Sequence, residues 1–162
     1  MAQRPGALRV EHVEPFVAGV VTVLAKEVGV EARRGALSVA RTGYLTNDVT
    51  IVVGVTGPLR GIVLYGLSKD TAREIASRMM GEPVPELHYM AQSAIAELGN
   101  IVTGLAATAL SERGLRVNIC PPGLLLGKQV LINTFEGHHR LVVPFKSPLG
   151  AFTVDLALEV GS

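Results

Sequence analysis

Hydrophobic residues near the start of the chain recur at helical spacing. The members of this stripe are Phe16, Val17, Val20, Val21, Leu24 and Val28. A period of 3.6 residues predicts a helix with one buried side. Pro15 is predicted to lie in the first turn, where its missing N–H costs nothing, and Gly29 is predicted to end the helix. Residues 1–9 are predicted to be a loosely ordered start.

The pattern then changes to strands rich in β-branched residues. One predicted strand includes Leu37 and Val39, and the next runs from Val49 to Val55. Gly57-Pro58 predicts a turn, and Gly61 to Leu67 predicts the returning strand. A first hairpin is therefore expected between residues 49 and 67.

Two further helices are predicted in the middle of the chain. Ser68 is a good N-cap for a helix that runs to Met80 and ends at Gly81. A long helix is predicted from Glu86 to Arg113, ending at Gly114. The remaining predicted strands are Leu115–Cys120, Leu124–Thr134, Arg140–Phe145 and Ala151–Glu159, with a hairpin turn at Gly137-His138-His139.

The two halves of the chain resemble each other weakly. The helix end at Glu27 matches the one at Glu112 with an offset of 85, and the turn at Pro58 matches the one at Pro148 with an offset of 90. In each half the predicted order of elements is a helix, then strands, then a hairpin. We therefore expect one α+β domain over residues 1–162, with two pseudo-repeated halves and helices packed on a mainly antiparallel sheet. The alternative is that any α+β chain shows such echoes.

Composition narrows the class of protein. Of 162 residues, 48% are hydrophobic and 18% charged, against a usual charged share of about 25%. This balance excludes disorder. The formal charge of +1 gives no electrostatic signature for nucleic acid or an anionic membrane. A single cysteine excludes an internal disulfide framework and fits the reducing cytoplasm.

The long predicted helix carries two distinct rows of residues. The apolar row is Ile95, Leu98, Val102, Leu105 and Ala109, and the second row is Ser93, Glu97, Asn100, Gly104 and Thr108. Between Met90 and Ser111, Glu97 is the only charged residue, and the neighbouring side chains are small. Small neighbours allow another molecule to approach closely. The row is also compatible with a simple hydrated face of an amphipathic helix.

The second row has the spacing of a known family signature. Ser93, Glu97 and Asn100, followed after 21 intervening residues by Pro122, resemble the motif of the CheC/CheX/FliY chemotaxis phosphatases. The CheX branch fits best, and the resemblance extends from about residue 10 to 160. The further similar segments are Pro15-Phe16, Gly57, Arg60-Gly61, Gly81-Glu82, Glu97-Leu98-Gly99-Asn100, Leu110-Ser111-Glu112-Arg113-Gly114, Gly127-Lys128 and Val143-Pro144-Phe145.

The resemblance implies a phosphatase that acts on the aspartyl phosphate of a CheY-like receiver domain. Asn100 would be the catalytic amide and Glu97 the docking acid, while Ser93 and Gly104 would contact the partner and Pro122 would close the motif structurally. The offset of 85 maps Glu97 to His12 and Asn100 to Pro15, so the first helix lacks the pair, as in single-site CheX proteins. The resemblance also implies a homodimer, formed by sheet extension.

Elementary chemistry is consistent with that implied role. Hydrolysis of an aspartyl phosphate depends on positioning and electrostatics, and the receiver would supply its own Mg²⁺ and cation, so this chain needs no cofactor. A carboxamide both donates and accepts hydrogen bonds, which allows it to orient the attacking water without adding negative charge. A carboxylate one turn away can pair with a partner lysine.

Other candidate chemistry is weaker. Cys120 lacks an evident base or cation and is predicted to be a buried structural residue. The histidines are scattered, which favours polar turns over a metal site. The alternative functions are a non-catalytic dimeric adaptor that binds receiver domains and a small-molecule-binding dimer with a pocket between the halves. No membrane span is predicted, and we expect a cytoplasmic protein.

Overall fold

In a computed structural model, the chain folds as an antiparallel sheet with three helices on one face. The structure describes residues 8–133 and 139–161. The helices are α1 (Val10–Val23, continued by a π-helical turn at Leu24–Val28), α2 (Lys69–Met80) and α3 (Tyr89–Glu112). The strands are β1 (Arg33–Arg34), β2 (Ser38–Ala40), β3 (Tyr44–Leu45), β4 (Val49–Thr56), β5 (Leu59–Leu67), β6 (Asn118–Ile119), β7 (Gly123–Leu126), β8 (Leu131–Ile132), β9 (Arg140–Ser147) and β10 (Gly150–Val160).

The sheet is built from two long hairpins placed side by side. Its order is β1-β9-β10-β5-β4-β6, with β2 also paired to β9 and β7 also paired to β4. The hairpins meet where β5 pairs antiparallel with β10, through Leu64 opposite Asp155 and Tyr65 opposite Val154. Strands β3 and β8 form a separate two-stranded ribbon. The predicted α+β class is therefore confirmed.

The strand pairing has the symmetry of two repeated halves. Moved by the offset of 90, residues 49–67 fall on 139–157, which is where β9 and β10 lie. Short strands then cover both outer edges: β1 and β2 on β9, and β6 and β7 on β4. Each half thus contributes one long helix, one hairpin and one interrupted edge. This arrangement supports the duplication that the sequence indicates.

One continuous apolar core fills the space between the helices and the sheet. Alternate residues of β4, β5 and β10 point into it, because successive side chains of a strand face opposite sides. Ile51, Val63 and Leu156 are fully buried there, together with Ile95 of α3 and Phe16 of α1. The predicted hairpin strands and the predicted cap of α2 are confirmed, since the Ser68 hydroxyl accepts a hydrogen bond from the Thr71 amide.

Several predicted boundaries are wrong. The predicted strand 115–120 is reduced to Asn118–Ile119, and strand 124–134 divides into β7 and β8. Positive φ angles at Gly127 and Gln129 turn the chain between them. The long helix begins at Tyr89 rather than Glu86. Residue 134, positions 137 and 138 of the predicted hairpin turn, and residues 1–7 of the predicted loose start lie outside the described residues.

Pro15 lies in the second turn of α1, which corrects its predicted place in the first turn. There its ring cannot donate to the Glu11 carbonyl, the usual partner four residues earlier. The Arg113 guanidinium, at the end of α3, donates to that carbonyl at 2.7 Å instead. A side chain of the second half thus compensates for a backbone hydrogen bond missing from the first.

The apolar row of α3 also differs from the prediction at one end. Ile95, Leu98 and Val102 are buried, but Leu105 is 41% exposed, and Ala106 takes its place in the core. A row spaced by three and four residues in turn drifts by about 20° every seven residues on a helix of 3.6 residues per turn, and by position 105 it lies at the margin of the buried side. By length and composition α3 is apolar enough to cross a membrane. Its apolar stripe is already packed against the sheet and α1.

Candidate functional site

The second row of α3 lies on the side of the helix that faces away from the sheet. Ser93, Glu97 and Thr108 are exposed, while Asn100 and Gly104 are half-buried. Five residues spaced by four, three, four and four form one strip along the helix. We call this strip the outer face of α3. The sequence therefore predicted the orientation of all five residues correctly.

The two polar side chains at the centre of the outer face are available to a partner. Asn100 follows Glu97 by three residues, so the amide and the carboxylate are neighbours one turn apart. Within residues 8–133 and 139–161, neither side chain makes a hydrogen bond or an ion pair. An amide that is half-buried and unpaired has a restricted position and free hydrogen-bonding capacity. That combination suits a group that must hold a water molecule.

The two glycines of α3, Gly99 and Gly104, have different structural roles. A Cβ at Gly99 would meet Ile51 Cγ2 at 2.6 Å, so Gly99 lets the helix approach β4 closely. A Cβ at Gly104 would find only Ile119 Cδ1, at 3.9 Å. Internal packing therefore requires glycine at 99 but leaves room for a side chain at 104. Because Gly104 has no side chain, nothing projects from the outer face at this position.

A pair of buried hydroxyls lies behind the turn that carries Asn100. The Thr103 hydroxyl donates to the Gly99 carbonyl at 2.7 Å, and Tyr65 Oη lies 2.6 Å from Thr103 Oγ1. Burial raises the pKa of the Tyr65 phenol. Sequence analysis did not identify either residue. The pairing joins positions 38 residues apart, and no local pattern in the sequence indicates it.

The corresponding region of α1 is a different surface. The burial patterns of the two helices coincide at an offset of 83: His12 with Ile95, Pro15 with Leu98, and Gly19 with Val102 are all buried. The offset of 85, taken from the helix ends, therefore maps the pair incorrectly. The helix end at Glu27 lies inside the π-helical turn Leu24–Val28, which α3 lacks, so the two helix ends do not correspond residue for residue.

With the corrected offset, Glu97 corresponds to Glu14 and Asn100 to Val17. Glu14 is exposed and Val17 is half-buried. The position of Gly104 is taken by Val21, which is 38% exposed. The first helix thus keeps an acid but has neither the amide nor the glycine. The conclusion that it lacks the Glu/Asn pair is unchanged.

Pro122 and Cys120 lie at the edge of the sheet rather than on α3. Pro122 is half-buried between β6 and β7, where a residue without an N–H interrupts the pairing to β4. Cys120 is exposed, which contradicts its predicted burial. Its Sγ lies over Gly54 of β4, where a Cβ would come within 3.1 Å of it. The Cys120 amide donates to the Gly54 carbonyl at 2.8 Å, which fixes the residue at this edge.

A buried charge pair lies on the opposite face of the sheet. The Arg140 guanidinium donates to Asp155 and to the Thr42 carbonyl and lies over the Tyr44 ring. Burial raises the pKa of the Asp155 carboxyl, and the arginine opposes that rise. This cluster attaches the β3–β8 ribbon to the sheet and is remote from α3.

Two further features bear on metal and small-molecule binding. His12 and His88 accept backbone hydrogen bonds at the starts of α1 and α3. Among the described residues, no group of three or more His, Cys, Asp and Glu could hold a metal ion. A buried void between the two halves, lined by Val20, Tyr65 and Leu98 among others, measures about 10 Å³, which is about the space of one water molecule and too small for an organic ligand. A more open cleft of about 340 Å³ lies between the start of α1 and the end of α3, lined by Glu11, His12, Leu110, Arg113 and Leu115.

Comparison with known proteins gives a consistent result. The family model described as "Chemotaxis phosphatase CheX" matches residues 49–146. The chain is 31% identical over 154 residues to the CheY-P phosphatase CheX of Thermotoga maritima, covering 93% of this chain and 96% of that protein.

Solved structures show the same similarity. The chemotaxis protein CheX of Desulfovibrio desulfuricans superposes with a TM-score of 0.85 at 29% identity, covering 93% of this chain and all of that one. A CheX from Borrelia burgdorferi, crystallised as a CheX-CheY-BeF3-Mg+2 complex, superposes with a TM-score of 0.78 at 26% identity, covering 93% and 99%.

Proposed function

Since the chain belongs to the chemotaxis phosphatase CheX family, we propose that it is a hydrolase that dephosphorylates the aspartyl phosphate of a CheY-like receiver domain. In this proposal Asn100 orients the attacking water and Glu97 docks the receiver. The single observation that carries the residue roles is the outer face of α3. It presents an amide and an acid one turn apart, neither paired with any residue that the structure describes, on a surface where Gly104 has no side chain.

The role of Asn100 follows from the charge of the reacting group. The phosphoryl group carries negative charge over its oxygens, and in-line attack needs a water held opposite the leaving aspartate oxygen. The neutral amide accepts a hydrogen bond from that water through its oxygen and donates to a phosphoryl oxygen through its nitrogen. A carboxylate at the same place would repel the phosphoryl group. The amide therefore positions the water without an electrostatic penalty.

Glu97 is assigned to docking rather than chemistry. It is exposed, and it carries the only charge between residues 90 and 111, so its charge dominates the outer face. A lysine of the receiver placed beside the phosphoryl site would pair with it. An exposed pair contributes at most about 1 kcal/mol, and desolvation on docking increases its effect on orientation. Ser93 and Gly104 complete the contact surface, and Pro122 shapes the neighbouring sheet edge.

The metal of the reaction belongs to the receiver. The Borrelia burgdorferi complex contains CheY with BeF3 and Mg+2. By analogy, we assign Mg²⁺ to the partner's phosphorylation site, where it neutralises phosphoryl charge, and no cofactor to this chain. We also place the protein in the cytoplasm, where receiver domains act.

A homodimer completes the proposal. Leu45 and Leu131 on the β3–β8 ribbon and Val130 just before β8 are each more than half exposed, and Leu126 of β7 is 52% exposed. Apolar side chains concentrated at one place on a surface favour a protein interface. We assign this ribbon and the adjacent edge strand to the contact between two copies of the chain.

The decisive experiment compares wild type with Asn100→Ala on a receiver phosphorylated by a small-molecule phosphodonor. Phosphate loss should slow on the order of 100-fold, the usual cost of removing one positioned hydrogen-bonding group. Binding to the receiver loaded with BeF3⁻ and Mg²⁺ should remain, because Asn100 acts after docking. Asn100→Asp is the matched control, which keeps size and adds charge, and it should be equally inactive.

Two results would contradict the assignment. Unchanged phosphate loss in Asn100→Ala would remove the amide from the mechanism. Tight binding of the phosphorylated receiver by wild type with no acceleration would identify a non-catalytic adaptor.

A further inference from the structure

We propose that Tyr65 and Thr103 are positioning residues for Asn100, and that their buried hydroxyls hold the turn of α3 carrying the amide at one rotation against the sheet. The inference rests on the proposed function, because it assigns a role relative to the water-orienting amide. It adds two residues that belong to neither the Glu/Asn pair nor the partner surface.

The hydrogen-bond chain has a defined direction. The Gly99 carbonyl can only accept, so the Thr103 hydroxyl must donate to it across the 2.7 Å contact. The lone pairs of Thr103 Oγ1 then accept the proton of Tyr65 Oη at 2.6 Å. Both residues are at least 95% buried, so water does not compete for these bonds. The chain therefore links strand β5 to the backbone of α3 at residue 99.

The link is placed where it controls the amide. Gly99 is the residue before Asn100, and Thr103 follows Asn100 by three residues, so the bonded atoms and the amide share one turn of helix. The same turn is pressed onto the sheet by the contact between Gly99 and Ile51. A hydrogen bond and a close contact at one level fix both the height and the rotation of this segment of α3.

Small rotations of the helix have large effects at its surface. Side-chain tips lie about 5–6 Å from a helix axis, so a turn of about 10° displaces them by about 1 Å. A misplacement of about 1 Å costs up to roughly 100-fold in rate. Apolar contacts are not directional, so the hydroxyl pair adds a directional restraint on rotation to the close contact between Gly99 and Ile51.

The test separates positioning from stability with conservative variants. Tyr65→Phe removes only the phenolic oxygen, and Thr103→Val removes the hydroxyl at nearly constant volume, while Thr103→Ser keeps it. We expect the first two to lower the rate of phosphate loss at saturating phosphatase about ten-fold and Thr103→Ser to stay within two-fold of wild type. Affinity for the receiver loaded with BeF3⁻ and Mg²⁺ should change less than two-fold in all three.

A matched control removes a hydroxyl elsewhere. Ser77 on α2 donates to the Glu82 carbonyl at 2.8 Å, away from α3, and Ser77→Ala should leave the saturating rate unchanged. All rates are measured well below each variant's unfolding temperature. Tyr65→Phe retains the bond between Thr103 and Gly99, so it reports on rotation even where Thr103→Val folds poorly.

The outcomes distinguish the two proposals. Wild-type saturating rates in folded Tyr65→Phe and Thr103→Val, beside an inactive Asn100→Ala, would overturn the positioning role and leave the proposed function intact. A fully active Asn100→Ala would overturn the proposed function itself. A loss in Thr103→Ser as large as that in Thr103→Val would also contradict the hydroxyl pair.

Discussion

The outer faces of α1 and α3 occupy corresponding places in the two halves, yet they offer a partner different surfaces. Both helices bury one side against the same core, and both carry an exposed glutamate, Glu14 and Glu97, at the matching position. On α3 the next positions are Asn100 and Gly104, whereas on α1 they are Val17 and Val21. The repeated fold thus supplies the scaffold twice, and two side-chain changes distinguish the outer face of α3 from that of α1.

The comparison also shows that the halves depend on each other. Pro15 leaves the Glu11 carbonyl of α1 without its backbone partner, and Arg113 of α3 supplies the hydrogen bond. Gly19 of α1 allows close approach, since a Cβ there would meet the Val102 carbonyl at 3.0 Å. Helix α1 therefore acts as structural support for α3, which carries the outer face described above.

The largest expected effect comes from adding a side chain at Gly104 on the outer face of α3. Gly104→Leu should raise the receiver concentration needed for half-maximal phosphate loss at least ten-fold, because the new side chain projects from the contact surface. Thermal stability should not fall, since the site is open and leucine is a better helix former than glycine. Titration of phosphate loss against receiver concentration measures the effect.

The control on the other helix is Ala18→Leu, which adds a leucine side chain to the exposed side of α1, one turn before Val21, the counterpart of Gly104. We expect less than a three-fold change in half-maximal concentration. Equal losses from both variants would mean that the receiver contacts both helices, and the contrast drawn above would be wrong.

Of the two matched acids, we expect removal of Glu97 to weaken receiver binding moderately and removal of Glu14 to leave it unchanged. Glu97→Ala should weaken receiver binding about five-fold, the equivalent of an exposed ion pair of about 1 kcal/mol. The loss should shrink at high ionic strength because salt screens exposed charges. Glu14→Ala should bind like wild type, as measured by calorimetry with the receiver loaded with BeF3⁻ and Mg²⁺. A loss on Glu14→Ala equal to that on Glu97→Ala would contradict the assignment.

A smaller effect is expected from building the missing group into α1. In the Asn100→Ala background, Val17→Asn alone should remain inactive because Val21 still projects from the face. Adding Val21→Gly should recover a small but measurable rate of phosphate loss, with Glu14 serving as the acid. Recovery by Val17→Asn alone would show that the glycine position is not required.

The smallest effect concerns support between the helices and should leave activity unchanged. Arg113→Ala should lower the free energy of unfolding by about 1 kcal/mol, because the Glu11 carbonyl loses its hydrogen-bond donor. In the Pro15→Ala background, Arg113→Ala should no longer lower the free energy of unfolding, since the N–H of the new alanine can bond the Glu11 carbonyl. Denaturant unfolding of the two single variants and the double variant measures the coupling. Additive losses would show that the two residues are independent.

Local sequence patterns determined most of the secondary structure and the outer face of α3. Periodicity, capping residues and turn residues located all three helices and both long hairpins, and the spacing of Glu97, Asn100 and Gly104 placed them together on one side. Such features depend on residues a few positions apart, whose relation is set by the 3.6-residue helical turn and the two-residue strand repeat. The family resemblance rested on the same residues.

Only the tertiary structure decided which of these residues serve packing and which remain open. Gly99 and Gly104 look alike in the sequence, but Ile51 of a distant strand occupies the space beside Gly99 alone. Cys120 is exposed, and Tyr65 meets Thr103, because of strand and helix placements across the domain. These relations join residues separated by tens of positions, and a local pattern contains no information about what the folded chain brings alongside it.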